Sequence, residues 1–160
     1  SSKYPDDKSI GHISIMIRLD SKEITKVATT LKGANNTFEA IDTVVNINAG
    51  FISDTQAIDW RPTSIEDMNL LIEQKIKPFI IEQIIPFLDE RSSMKHVLND
   101  FENHNTYFFL NSNEVVALLA IAMYCLQNDL ERARTVANDY FMSDDFYKEK
   151  YKNVFMKLNT

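Results

Sequence analysis

Between His12 and Leu19 the chain alternates, with Ile13, Ile15, Ile17 and Leu19 on one side and His12, Ser14, Met16 and Arg18 on the other. That two-residue period is the signature of a half-buried strand. Asp20-Ser21-Lys22 supplies turn residues, and the Thr- and Val-rich segment from Glu23 to Lys32 predicts a second strand, a short helix capped by Ser21 being the other reading. Gly33-Ala34-Asn35-Asn36 is a turn signal. The run from Phe38 to Ile52 then predicts the longest strand, with Val45, Ile47, Ala49 and Phe51 facing one way and Val44, Asn46, Asn48 and Gly50 the other. Three such runs predict an antiparallel meander whose single apolar face must be covered by helices.

Near Trp60 the period changes. Thr63 or Ser64 can cap a helix whose first turn holds Glu66 and Asp67, acids that suit the positive end of the helix dipole. Its stripe runs Ile65, Met68, Ile72, Ile76, Phe79, Ile80, Ile84, Phe87 and Leu88, at spacings of three and four. Leu71, Ile81 and Ile85 fall off that stripe, which predicts a helix sandwiched between the sheet and the later helices. Pro78 and Pro86 predict a kink or break, foremost just before Pro78. A short helix capped by Ser92 or Ser93 follows through Met94, Val97, Leu98 and Phe101. Asn111 with Glu114 forms a capping-box pattern for a helix reaching Leu126, and Asn128-Asp129 turns into another with Leu130, Ala133, Val136, Ala137 and Tyr140 inward. That pair predicts an antiparallel αα-hairpin. Ser143 or Asp144 caps a final helix with Tyr147, Tyr151, Val154, Phe155 and Leu158 on one face and Lys148, Lys150, Lys152 and Lys157 on the other. The expected fold is thus one α+β domain over 1–160, strand-rich over 10–53 and helical over 63–160: an N-terminal antiparallel β-meander covered on one face by a C-terminal set of helices that includes the αα-hairpin.

Only three glycines and four prolines occur in 160 residues, too few for a flexible linker or for the frequent turns of a β-sandwich, and no tandem repeat is expected. The single Cys125 cannot form an internal disulfide and no signal-peptide pattern opens the chain, so a reducing, cytoplasmic setting is expected. The longest apolar run, Val115 to Leu126, is short of the roughly twenty residues that a membrane helix needs. A net charge of −6 has the wrong sign for gripping a phosphate backbone, which argues against nucleic acid as a partner. Seven Lys/Arg face eight Asp/Glu up to Arg61, and ten face fifteen after it, so a basic partner would be drawn to the helical part.

Candidate chemistry is sparse. His12, His96 and His104 are far apart and lack the spacing of metal ligands. Cys125 lies inside the apolar run, where a thiol behaves as a small hydrophobe. No G-x-S-x-G, Gly-rich phosphate loop or G-x-G-x-x-G is present. Acidic pairs such as Asp89-Glu90 and Asp144-Asp145 flank predicted elements, where caps and dipole partners account for them. No catalytic residue, metal or cofactor is therefore expected. Asn46 and Asn48 are candidates for lining a groove, and Trp60 beside Arg61 is either an interaction hot spot or a plug at the sheet-to-helix junction. Asp100, Glu102, Asp144 and Asp145, chosen for acidity and expected exposure, are the candidate partner-binding residues.

The run Val45-Asn-Ile-Asn-Ala-Gly-Phe51, then Trp60, the helix ending Ile-Ile-Pro-Phe-Leu88, Ser92-Ser93 and the short helix through Leu98 resemble a family of small bacterial α+β proteins known only as a domain of unknown function and associated with toxin systems. The resemblance spans Asp42 to Phe101 and departs from that family's pattern in lacking a substantial helix ahead of the sheet. Ala117 to Tyr140, with Tyr124, Asn128-Asp129 and Ala133, is similar to one tetratricopeptide-type helix pair, although a repeat protein needs at least three such units. The family resemblance implies an immunity-type inhibitor, a non-catalytic protein whose acidic surface occludes a basic toxin domain. Two other readings stay open: a small hydrolase with a scattered carboxylate and His site, and a helical adaptor domain.

Overall fold

A computed structural model describes residues 8–33, 43–53, 56–105 and 112–159. The alternation at 12–19 holds residue by residue: Ile13, Ile15, Ile17 and Leu19 are shielded and His12, Ser14, Met16 and Arg18 exposed, with strand backbone over Met16–Asp20 (β1). Thr43–Asn48 forms β2, antiparallel to β1, and the Ala49 N–H donates to the Ile15 carbonyl at 2.8 Å just beyond the pair. Ahead of β1, Ile13 and Trp60 exchange both backbone hydrogen bonds in an antiparallel bridge, at 2.8 and 2.9 Å.

The described residues between these strands, 21–33, hold no strand. Lys22–Lys32 is a helix, α1, so the expected three-strand meander is corrected to a two-strand pair and the molecule is mostly helical. Ser21 caps α1 by accepting from the Ile24 N–H, and Ile24, Thr25, Ala28 and Leu31 turn inward at spacings of three and four. The threonines that suggested a strand give their hydroxyls to carbonyls one turn back, Thr25 to Ser21, Thr29 to Thr25 and Thr30 to Lys26, at 2.8–3.0 Å. Such back-bonding lets a β-branched residue sit inside a helix. The earlier part of the predicted third strand, 38–42, lies outside the described residues.

Two compact units divide the chain: Ser1–Ile17 with Ile47–Ser93, and Arg18–Asn46 with Met94–Thr160. In the first, β2 ends in a tight turn over Ala49–Ile52. Asn48 organises it, accepting from the Gly50 and Ile58 N–H groups at 2.9 and 2.8 Å and donating to the Ile58 carbonyl at 3.0 Å. Gly50 is needed there because a Cβ would stand 2.7 Å from the Ile58 nitrogen. Asn48 is thus a clamp on its own loop and not the lining of a groove. Trp60 meets Phe79 edge-on with ring centroids 6.2 Å apart, which favours the plug reading of that tryptophan.

One long helix, α2, fills 65–90 of the same unit. Ser64 caps it, accepting from the Asp67 N–H at 3.0 Å. The expected kink before Pro78 is replaced by a wide turn: the backbone stays right-handed helical at Ile72, Ile76, Lys77, Ile80 and Ile85, with π-turns over Ile72–Ile76 and Ile80–Ile84. The residue before each proline donates five residues back, Lys77 to Ile72 and Ile85 to Ile80. A proline has no N–H and its ring collides with the carbonyl four residues earlier, and widening the turn by one residue relieves both problems.

The wide turns also set which residues face out. Every fourth residue, Met68, Ile72, Ile76, Ile80, Ile84 and Leu88, is buried or half-buried, while the neighbouring row Ile65, Asn69, Glu73, Lys77, Ile81, Ile85 and Asp89 is exposed throughout. In a helix of 3.6 residues per turn a four-residue row drifts by about 40° each step and would reach the opposite side within five. The π-turns cancel that drift, so both rows run straight. Ile81 is 63% exposed and Ile85 46%, which corrects the sandwiched placement expected of α2.

The second unit is built on Asn113–Leu126 (α4), buried on every side from Ala117 to Tyr124. Met94–Glu102 (α3), α1 and Leu130–Phe141 (α5) pack against it, α4 and α5 forming the expected αα-hairpin. Ser112 caps α4, accepting from the Val115 N–H, and Asn111 lies outside the described residues. The expected single last helix is two, Asp145–Lys150 (α6) and Lys152–Leu158 (α7), interrupted at Tyr151 with φ −112° and ψ 17°. The interruption lays the Tyr151 ring flat on Phe141, centroids 4.0 Å apart.

Candidate functional site

The structure gives the four predicted partner-binding acids separate duties. Asp100 is only 3% exposed. It shares the inward side of α3 with Val97, Leu98 and Phe101, and its Oδ1 accepts from Asn105 Nδ2 at 2.8 Å while its carbonyl accepts from the Asn105 N–H. The expected exposure of Asp100 is therefore corrected: it folds back the chain that leaves α3. Glu102 accepts from the Tyr124 hydroxyl and from Arg132 at 3.2 Å, linking α3 to α4 and α5. Burial, then the hydrogen bond and charge of Glu102, push the Tyr124 phenol up to about 12 against the opposing pull of Arg132. Asp144 caps α6 through the Phe146 N–H at 2.7 Å. Asp145 stands fully in solvent and pairs with Lys148 at 2.8 Å, which holds its carboxyl below the ordinary value.

A second carboxylate centre escaped the sequence reading because its members come from α1, α4, α6 and the break at Tyr151. Both Glu114 oxygens accept from Lys150 Nζ, at 3.0 and 2.9 Å, and one also accepts from the Tyr151 hydroxyl at 2.8 Å. Burial works against the charge on Glu114, but the hydrogen bonds from Lys150 and Tyr151 and the charges of Lys150 and Lys32 outweigh it and lower its pKa. Lys32 is itself lowered, by burial and by Lys150. This is an internal tie between helices. Burial raises the Cys125 thiol, which disfavours the reactive thiolate. Among the described residues no group of three or more His, Cys, Asp or Glu side chains is placed to hold a metal ion, and no helix is long and apolar enough to cross a membrane.

The outer face of α2 carries several exposed apolar side chains on one element. Leu70, Ile81 and Ile85 are exposed there, with Ile65 exposed at the helix start. Around them, Asp67 accepts from the Thr63 N–H at 2.8 Å, Glu73 pairs with Lys77, and Glu90 pairs with Arg91 at 3.0 Å. Glu66, Glu82 and Asp89 are exposed carboxylates with no hydrogen-bond or ion-pair partner among the described residues. The arrangement offers no nucleophile or proton-transfer pair. Its exposed aliphatic side chains stand in two groups, Ile65 with Leu70 and Ile81 with Ile85, on either side of the Glu73–Lys77 pair. A signal for it was present in the sequence, namely Ile81 and Ile85 lying off the buried stripe, with Pro78 before them and Pro86 after them. Compared with known proteins, the chain matches no family model, no curated protein and no solved structure.

Proposed function

We propose that the chain is a non-catalytic protein-binding module, an immunity-type inhibitor that occludes a basic toxin domain. The resemblance of 42–101 to a toxin-associated family suggests the class, and the exposed Ile81 and Ile85 beside Glu82 and Asp89, which have no ion-pair partner among the described residues, carry the reading. Large aliphatic side chains are held in water on a rigid element only at a free energy that a docked partner recovers, and the carboxylates around them select a basic one. The proposed binding surface thus moves from Asp100, Glu102, Asp144 and Asp145 to α2. On this reading the protein acts in the cytoplasm by steric and electrostatic blockade.

Capture of basic secreted domains on the immobilised chain, repeated at rising salt, is the test. Capture that weakens with salt and is abolished in the Glu66→Lys, Glu82→Lys, Asp89→Lys variant is expected. Absence of capture, or capture indifferent to both salt and charge reversal, sinks the reading.

A further inference from the structure

On the protein-binding reading of α2, we propose that its outer face receives a partner helix, one that carries an aliphatic row flanked by Lys or Arg. Three observations lead there. First, α2 keeps its backbone hydrogen bonds to itself through both wide turns, so it presents no row of free N–H and C=O groups. An extended segment laid on it would leave its own backbone groups without protein partners, whereas a helix arrives with them satisfied. Second, the exposed row runs straight from Ile65 through the Glu73–Lys77 pair to Ile81 and Ile85, with Leu70 and Glu82 on the neighbouring row, so the face is the shape of one helix side. Successive side chains along such a row rise by about 6 Å, the spacing at which a second helix places its own residues four apart. Third, Glu66, Glu82 and Asp89 have no ion-pair partner among the described residues, and α2 carries the carboxylates of Glu66, Asp67, Glu73, Glu82, Asp89 and Glu90 against Lys75 and Lys77 alone, so the incoming helix must be cationic. A second copy of this chain would set the same carboxylates against each other, and is disfavoured for that reason.

The probe is a synthetic amphipathic peptide of about five turns, with leucines at spacings of three and four and lysines on either side, and a scrambled peptide of the same composition as control. Circular dichroism of the mixture should show the peptide gaining helix with the wild-type chain and not when scrambled. The Ile81→Asp, Ile85→Asp variant, whose unfolding midpoint should stay near wild type because both sites are exposed, should bind it about tenfold more weakly or not at all. Equal binding of the scrambled peptide, binding without helix gain, or undiminished binding by the variant overturns the proposal. So does a wild-type chain that is dimeric in light scattering and made monomeric by the same substitutions, since the occupant would then be a second copy. If the peptide fails while basic domains are still captured in a salt-dependent way, the helical occupant is wrong and the protein-binding reading stands. If capture fails as well, both fall.

Discussion

Asn153 Nδ2 donates to the Lys32 carbonyl at 3.1 Å and in doing so lies directly over Gly33, where α1 ends with φ +95°. The amide of α7 therefore closes a helix terminus 121 residues away in sequence, and it can approach only because Gly33 has no side chain. Gly33→Ala should destabilise the chain by about 1–3 kcal/mol, from the unfavourable φ and the collision with Asn153 together. Asn153→Ala alone should remove about 1 kcal/mol through the lost hydrogen bond. Urea unfolding of the double variant separates the terms: it should be less destabilised than the sum of the singles, because removing the amide removes the collision but not the backbone strain.

The straight rows of α2 make a sharp prediction for neighbours of the same chemistry. Ile84→Ala should cost about 2–5 kcal/mol, since Ile84 is buried on the inward row. Ile81→Ala, three residues earlier, should fall within about 0.5 kcal/mol of wild type. Equal effects at the two positions, read from denaturant midpoints, would show that α2 does not hold the four-residue rows.

How much of this was legible in the chain varies with the range of the interaction responsible. The alternation of 12–19, the Ser64 and Asp144 caps and the αα-hairpin are local patterns and appear where expected. Glu23 to Lys32 was ambiguous because threonine favours strands unless its hydroxyl can bond back one turn, and in α1 it does. Pro78 and Pro86 signalled a break, but the helix accommodates both by widening. Among candidate site residues, Asp100 looked exposed because it is charged, yet it sits one residue from Phe101 on the buried side of α3 and has Asn105 to satisfy it. The Glu114 centre joins residues 36 and 37 positions apart, which leaves no local trace.

Acid should loosen the second unit through Glu114. Its folded pKa lies below the ordinary value of 4.5, so the ion pair contributes stability that is present above that value and is lost as pH falls through the folded pKa. Glu114→Gln, which keeps an acceptor for Tyr151 but drops the charge facing Lys150, should lower stability near neutral pH by about 1 kcal/mol and flatten the acid limb of a stability-against-pH curve below 4.5. An unchanged acid limb in the variant would remove Glu114 from the account.

Base should act on Tyr124 in the opposite sense. Its folded pKa is raised from 10.0 to about 12, so the stability associated with the neutral phenol is complete below 10.0 and declines as pH climbs toward 12. Tyr124→Phe removes the donor to Glu102 and should weaken that decline, as followed by thermal melts as pH rises from 10.0 to about 12.

The most direct test of the account as a whole is amide hydrogen exchange on the chain alone and with a basic domain that it captures. Slowed exchange concentrated in α2, above all around Ile81 and Ile85, with α6 and its Asp144 and Asp145 unaffected, is the predicted result. Protection centred on Asp144 and Asp145, or protection absent from α2, would contradict it.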